Sequence, residues 1–234
     1  MQPMQSAKGI GRVVGVLLLV QALLAPAVYT QWGMIGTLTT PGFLASAAAH
    51  ATQIRVALLL TLVLSALTLA VALIAVPLFR IYSERMALLF LALAAIGLTT
   101  QVMETHASRT MLSISLSYAN GGVPKEVLEA LAPSARSTWH SAHFTNLMLG
   151  HLKMLVFYGI MYRSVLVPRA LAAVGLAATV LSTTAATMPL LGLQFSYPMI
   201  APAALAQLAL TLWLIIMGFA DAARAGESAR TWRG

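Results

Sequence analysis

The segment that decides the fold is WHSAHFTNLMLGHLKMLVFYGIMYR, residues 139–163. At about 1.5 Å per residue, a helix of this length exceeds the ~30 Å hydrocarbon core of a bilayer, so we expect it to span the membrane. The segment nevertheless contains three histidines and a lysine: His140, His143, His151 and Lys153. Ionisable side chains are costly inside a membrane and usually face protein or water, so this span is the first place to look for function.

The composition of the chain indicates a helical membrane protein. Hydrophobic residues make up 59% of its 234 positions and charged residues only 9%, with a mean hydropathy of +0.86, whereas soluble domains carry roughly 25% charged residues. The absence of cysteine excludes disulfides and thiolate ligands. The net charge of +8 comes from basic residues in short loops between apolar segments. This placement favours a role in membrane orientation and argues against nucleic-acid binding.

Apolar segments and turn residues predict an all-α bundle of six membrane spans. They form one transmembrane domain, residues 1–220, followed by a cytoplasmic tail, residues 221–234. The six spans are predicted at about residues 9–29, 55–77, 86–105, 139–162, 170–191 and 199–219.

Three local features refine this prediction. The helical pattern of the third span continues past Arg109 toward Tyr118, so this helix either projects from the membrane or breaks. Short amphipathic helices are predicted in the outer loops, one of them at residues 123–131 and closed by Pro133. The first span, with its basic start, also fits a cleaved signal peptide, but its length favours a retained helix.

The distribution of basic residues predicts the orientation. With the amino terminus inside, nine lysines and arginines lie in inner segments and four in outer ones. The positive-inside rule therefore places both termini in the cytoplasm. The inner residues are Lys8, Arg12, Arg80, Arg85, Arg163, Arg169, Arg224, Arg230 and Arg233, and the outer ones are Arg55, Arg109, Lys125 and Arg136.

This orientation brings titratable residues to a common level near the outer face. Glu104 and His106 lie at the outer end of the outward-running third span, and His140 and His143 at the outer end of the inward-running fourth. Imidazole and carboxylate ligands suit zinc, copper or iron, so these four residues are the candidate metal site. Haem b, held by histidines from two helices, is the other cofactor that fits.

The remaining candidates are His50, His151 and Lys153. His50 precedes the second span and belongs to the outer side by the same count. His151 lies about 12 Å deeper than His143 on one face of the fourth span, which is too far for one ion to contact both. Lys153 lies about 160° around the helix from His151. It either extends toward the cytoplasm or pairs with a carbonyl group.

Structural roles compete with each functional interpretation. Trp139 and His140 fit an interfacial position with polar tips in water. Glu104 can pair with Arg109, near the water. The hydroxyl row at residues 182–184 can bond back to its own helix. Gly11 and Gly15 form a GxxxG-like pair that indicates close helix contact.

Several short segments resemble a known family, most clearly in the last third of the chain. They are Tyr162-Arg163-Ser164, Val167-Pro168-Arg169, Leu171-Ala172, Gly175, Leu212-Trp213-Leu214, Gly218-Phe219 and, before the second span, Ala51-Thr52-Gln53-Ile54-Arg55. Together they resemble the bacterial integral-membrane family catalogued as domain of unknown function 4386. The resemblance implies a multi-helix protein of the bacterial inner (plasma) membrane and assigns no catalytic residue. His140, His143 and His151 lie outside the pattern of that family.

Three functions remain open. The leading hypothesis is a membrane-embedded binding or redox protein with a His/Glu site near the outer face. The second is an accessory or scaffolding subunit that packs in the lipid bilayer against other membrane subunits or a second copy, for which the small-residue-rich spans provide close contact. The third, a small-solute transporter, lacks detectable internal repeats.

Overall fold

The computed structural model of the chain describes residues 6–29, 36–40 and 42–220. Within these ranges there is no β-strand, and six helices are long and apolar enough to cross a membrane. The predicted all-α fold with six spans is therefore confirmed. The helices are α1 (Ala7–Tyr29), α2 (Ala51–Arg80), α3 (Glu84–Asn120), α4 (Lys125–Ser164), α5 (Arg169–Thr187) and α6 (Ala201–Met217). The predicted tail, residues 221–234, lies outside the described residues.

Two of the helices are much longer than predicted. α3 has 37 residues and α4 has 40, which correspond to about 55 and 60 Å against a ~30 Å hydrocarbon core. Of the two alternatives for the third span, α3 continues unbroken past Arg109. Each of these helices therefore has room to extend well beyond the hydrocarbon.

The prediction of a separate surface helix at residues 123–131 is wrong. These residues lead into and form the first turns of α4, and Pro133 lies inside the helix instead of closing it. The cost of an interior proline is offset here because Ala132 and Ala135, on either side of it, are buried in one hydrophobic core. Tertiary packing therefore keeps α4 continuous through Pro133.

The first outer loop contains the short helical structure that was predicted. Helical turns at Gly36–Thr39 and Phe43–Ser46 and a 3-10 turn at Ala47–His50 lead directly into α2, which begins four residues before its predicted start at Arg55. At the other end of the chain, α5 finishes in a 3-10 turn, Met188–Leu191, which contains Pro189.

The contacts divide the chain into two compact units. Within the described residues, the first comprises residues 6–20, 67–96 and 147–220. Its core contains an aromatic cluster in which Phe79 lies 5.7 Å from Phe90, 5.8 Å from Phe157 and 6.1 Å from Phe219 between ring centroids. Gly11 lies against the backbone of Gly218 and Phe219. The close helix contact predicted for the GxxxG-like pair is thus confirmed.

Within the described residues, the second unit comprises residues 21–29, 36–40, 42–66 and 97–146. Its core combines the first outer loop with α3 and the start of α4, where Phe43, Met111 and Trp139 are buried together. The Ser115 hydroxyl ties loop to helix: it donates to the Leu44 carbonyl at 2.9 Å and accepts from the Ala48 N–H at 2.9 Å. This unit contains Glu104, His106, His140 and His143, and its packing fixes the α3 and α4 segments that carry them.

The hydroxyl row in α5 has the structural role that was predicted for it. Ser182 and Thr183 donate to the carbonyl of Thr179, at 3.1 and 2.7 Å, and Thr184 donates to the carbonyl of Val180 at 3.1 Å. Each hydroxyl is therefore satisfied within its own helix, as expected for polar groups in a membrane span.

Candidate functional site

The centre of the candidate site is a pair formed by Glu104 of α3 and His143 of α4. Oε1 of Glu104 lies 2.9 Å from Nδ1 of His143. The carboxylate side chain is only 3% exposed, whereas the imidazole is 24% exposed. Because buried carboxylates are costly unless they are hydrogen-bonded, the contact with His143 stabilises Glu104 in this position.

An amide network completes the surroundings of the carboxylate. Nδ2 of Asn146 donates to Oε2 of Glu104 at 2.9 Å and to Oε1 of Gln101 at 2.8 Å. Oδ1 of Asn146 accepts from the Thr100 hydroxyl at 2.9 Å. Both oxygens of Glu104 are thus engaged, and a single asparagine links α4 to three side chains of α3.

Aromatic rings enclose the imidazole of His143. The ring of Trp139 stacks on it with centroids 4.9 Å apart and planes inclined by 15°, and Phe144 lies edge-on at 5.2 Å. The prediction that Trp139 holds its polar tip in water is wrong: the side chain is buried, and its Nε1 has no hydrogen-bond partner in the described structure. Trp139 instead forms an apolar wall that fixes the plane of the imidazole.

The alternative partner considered for Glu104 is also wrong. Arg109 is exposed, and the only basic side chain within ion-pair distance of Glu104 in the described ranges is His143. Five residues separate Glu104 from Arg109, which places their side chains about 140° apart around α3. The helix continues straight through this region, so the two side chains diverge.

The structure does not bring the other outer histidines to Glu104. His106 is exposed, whereas Glu104 is buried. A separation of two residues on a helix is a rotation of about 200° around the axis, so the side chains of Glu104 and His106 leave α3 on nearly opposite sides. His140 is exposed with its ring 4.5 Å from that of Phe144. His50 is exposed and bonds through Nδ1 to Oε1 of Gln53 at 3.0 Å.

The four proposed ligands, Glu104, His106, His140 and His143, do not form one cluster in the part of the chain that the structure describes. No group of three or more His, Asp or Glu side chains there is arranged to hold a metal ion. Glu104 and His143 are the only two of the four proposed ligands in direct contact.

His151 and Lys153 belong to the first unit and not to this network. His151 lines a cavity between α4, α5 and α6. Lys153 is partly buried and has no described carboxylate within ion-pair distance. Neither residue contributes to the Glu104–His143 pair.

Sequence reasoning missed Thr100, Gln101 and Asn146. A helical-spacing signal was available: residues 100 and 101 lie four and three positions before residue 104 and so neighbour it on α3, as residues 143 and 146 neighbour each other on α4. Amides attracted less attention than histidines because they carry no charge.

The chemistry open to this arrangement follows from its hydrogen bonds. The imidazole nitrogen of His143 that contacts Glu104 is Nδ1. A carboxylate in this position fixes the tautomer and orientation of the ring. The arrangement can accept a proton or present one imidazole nitrogen to an ion.

The fold and the site together define a multi-pass helical membrane protein with a buried carboxylate–imidazole pair. The chain belongs to the family described as Domain of unknown function (DUF4386), whose model matches residues 13–218. The family resemblance found in the sequence is therefore confirmed. Comparison with curated proteins and with solved structures gave no match.

Proposed function

We propose that this protein takes up a proton at the Glu104–His143 pair from the side of the membrane that the basic-residue count assigns to the exterior. The observation that carries the proposal is the 2.9 Å contact between a buried carboxylate and a partly exposed imidazole. His143 then connects the surface to Glu104. Carboxylate–histidine chains of this kind are typical of proton relays in membrane proteins.

The charges of the pair support proton uptake. With Glu104 ionised and His143 neutral, the pair has a net charge of −1. One added proton gives an imidazolium–carboxylate pair of net charge zero. A buried net charge is costly and a hydrogen-bonded neutral pair is less so. Asn146 holds the second carboxylate oxygen and so keeps Glu104 beside His143.

A metal ion or haem is a weaker interpretation of the same residues. It would use Nε2 of His143 with His140 one turn away, and Glu104 would orient the ring. Two imidazoles are fewer than the three or four protein ligands of typical zinc sites. A proton needs no further ligand.

Histidine-labelled protein in liposomes provides the test of proton uptake. Nitrogen NMR resolves neutral imidazole from imidazolium, and the loss of one signal in His143→Asn assigns the resonance. When the external pH is lowered, we expect His143 to become imidazolium. In Glu104→Gln the same pH step should produce less imidazolium, because the negative charge that stabilises it is gone.

The matched control is Glu129→Gln. Glu129 is an exposed carboxylate bonded to the Tyr118 hydroxyl at 3.1 Å, and this substitution should leave the response of His143 unchanged. Proton uptake would be refuted if the His143 signal did not change with the pH step, or if it changed equally in the wild-type protein and in Glu104→Gln. A Soret band, or one metal ion per chain in the purified protein, would replace it with the haem or metal interpretation.

An accessory role in a membrane complex is the second candidate, and one observation favours it. Both Glu104 oxygens are already bonded, so the network can serve as a polar clamp between α3 and α4. In that case function should survive in His143→Asn, and the protein should co-purify with a stoichiometric partner or with a second copy.

A further inference from the structure

A cavity of about 140 Å³ lies in the first unit, among α4, α5 and α6. His151, Met154 and Tyr158 line it from one stripe of α4, and Thr179 lines it from α5. The α6 side contributes Ile200, Ala203, Ala204 and Gln207. These positions lie within the predicted spans, so the cavity is at membrane depth.

Two polar atoms at this cavity are buried and have no hydrogen-bond partner in the described structure. They are the hydroxyl of Tyr158, whose side chain is only 1% exposed, and Nδ1 of His151. The carbonyl of Leu147 lies near His151, but the two do not form a hydrogen bond of normal geometry. A buried, unsatisfied polar group costs free energy, so a ligand that bonds to these atoms would recover it.

Gly175 fixes the position of the Tyr158 ring. A Cβ at residue 175 would overlap the ring carbons of Tyr158, so only glycine lets the ring lie against α5. Seven residues separate His151 from Tyr158, which is close to two helical turns, so both side chains leave α4 on nearly the same side. The two unsatisfied atoms are therefore carried on one wall of the cavity.

From these observations we infer that the cavity binds a small, uncharged ring bearing a hydroxyl group, a phenol-like molecule, which hydrogen-bonds to Tyr158. A cavity of about 150 Å³ is known to accommodate benzene, which sets the size of the ring. A ligand hydroxyl can accept a hydrogen bond from the Tyr158 hydroxyl, whereas His151, about 10 Å away along α4, lines the cavity at a different level. No carboxylate lines the cavity, and the membrane setting disfavours a charged ligand.

Fluorine NMR with 4-fluorophenol and fluorobenzene tests this inference on the full chain in nanodiscs. The two probes match in size and differ by the hydroxyl, and empty nanodiscs correct for partition into lipid. We expect saturable binding of 4-fluorophenol and weaker binding of fluorobenzene. Tyr158→Phe should weaken 4-fluorophenol binding roughly two- to tenfold, the range expected for one lost hydrogen bond.

Matched substitutions separate the cavity from general effects. Tyr82→Phe removes another buried hydroxyl without a described partner, one that does not line the cavity, and should leave binding unchanged. Ala203→Leu should fill the cavity and abolish binding of both probes, whereas Ala201→Leu, at an exposed position outside the lining, should not.

Three results would overturn the inference. They are the absence of saturable binding to the wild-type protein, equal binding of the two probes, and binding that survives in both Ala203→Leu and Tyr158→Phe. Since Tyr158→Phe keeps the ring and its packing, the test remains decisive if Ala203→Leu fails to fold.

Discussion

At the scale of single residues, Asn146 makes more of the described hydrogen bonds between α3 and α4 in the candidate site than Glu104 or His143 does. It contacts Thr100, Gln101 and Glu104, all on α3. An amide can donate and accept at once, which is why one side chain can satisfy a hydroxyl, an amide and a carboxylate together. The ionisable pair depends on this uncharged residue for its geometry.

Asn146→Ala should therefore lower the free energy of unfolding by about 1–2 kcal/mol, the range found for hydrogen bonds between designed membrane helices. Asn120→Ala, at the exposed end of α3, is the matched control and should change stability little. Reversible denaturation in detergent measures both. Equal stability of the two variants would mean that the network contributes nothing to holding α3 and α4 together.

At the scale of helices, glycine sets how closely the first span packs. A Cβ at Gly11 would overlap the backbone of Gly218 and Phe219, and one at Gly15 would lie 2.9 Å from the backbone nitrogen of Ile215. Backbone cannot move aside as a flexible side chain can. The end of α6 and the residues that follow it can thus pack closely against α1, because Gly11 and Gly15 have no Cβ.

Two glycine-to-alanine substitutions with opposite expected signs test this packing. Gly11→Ala should destabilise the protein by about 1–3 kcal/mol because it overpacks a tight contact. Gly150 lies inside α4, and a Cβ added there would meet nothing within 4 Å, so Gly150→Ala should stabilise the helix by about 0.5–1 kcal/mol. Thermal unfolding in detergent measures the stability of both variants. If Gly150→Ala also destabilised the protein, the expected gain in helix propensity at residue 150 would be refuted.

At the scale of the whole molecule, the direction of the helices across the membrane decides which side the Glu104–His143 pair faces. The count of basic residues predicts that the turn after α2 is cytoplasmic and that the connection between α3 and α4 is external. The chain contains no cysteine, so single cysteines can be introduced without background.

Ile81→Cys and Ala119→Cys each place one thiol at an exposed position, the first in the turn after α2 and the second at the end of α3. A membrane-impermeant maleimide should label Ala119→Cys in intact cells and should label Ile81→Cys only after the membrane is opened. The reverse pattern would place the pair on the cytoplasmic side, and the proton would then come from the cytoplasm.

The sequence by itself determined the class of protein, the number of spans and the family. The class and the number of spans follow from hydropathy and local turn residues, which act over short stretches of chain, and the family follows from short segments such as Val167-Pro168-Arg169. It also identified Glu104 and His143, because ionisable groups are conspicuous among apolar neighbours. It did not determine that α4 runs through Pro133 or that Trp139 is buried, because both depend on burial against segments distant in the sequence.

Tertiary structure alone decided which of the candidates meet. The directions of side chains around α3 separate Glu104 from His106, and the pairing of α3 with α4 selects His143 as the partner. Likewise, the Tyr158 ring can lie against α5 because Gly175 has no Cβ, and in this position its hydroxyl is buried without a described partner. Hydrophobic pattern specifies which segments are buried in the membrane, but contacts between particular polar atoms depend on how the helices are rotated and packed in three dimensions.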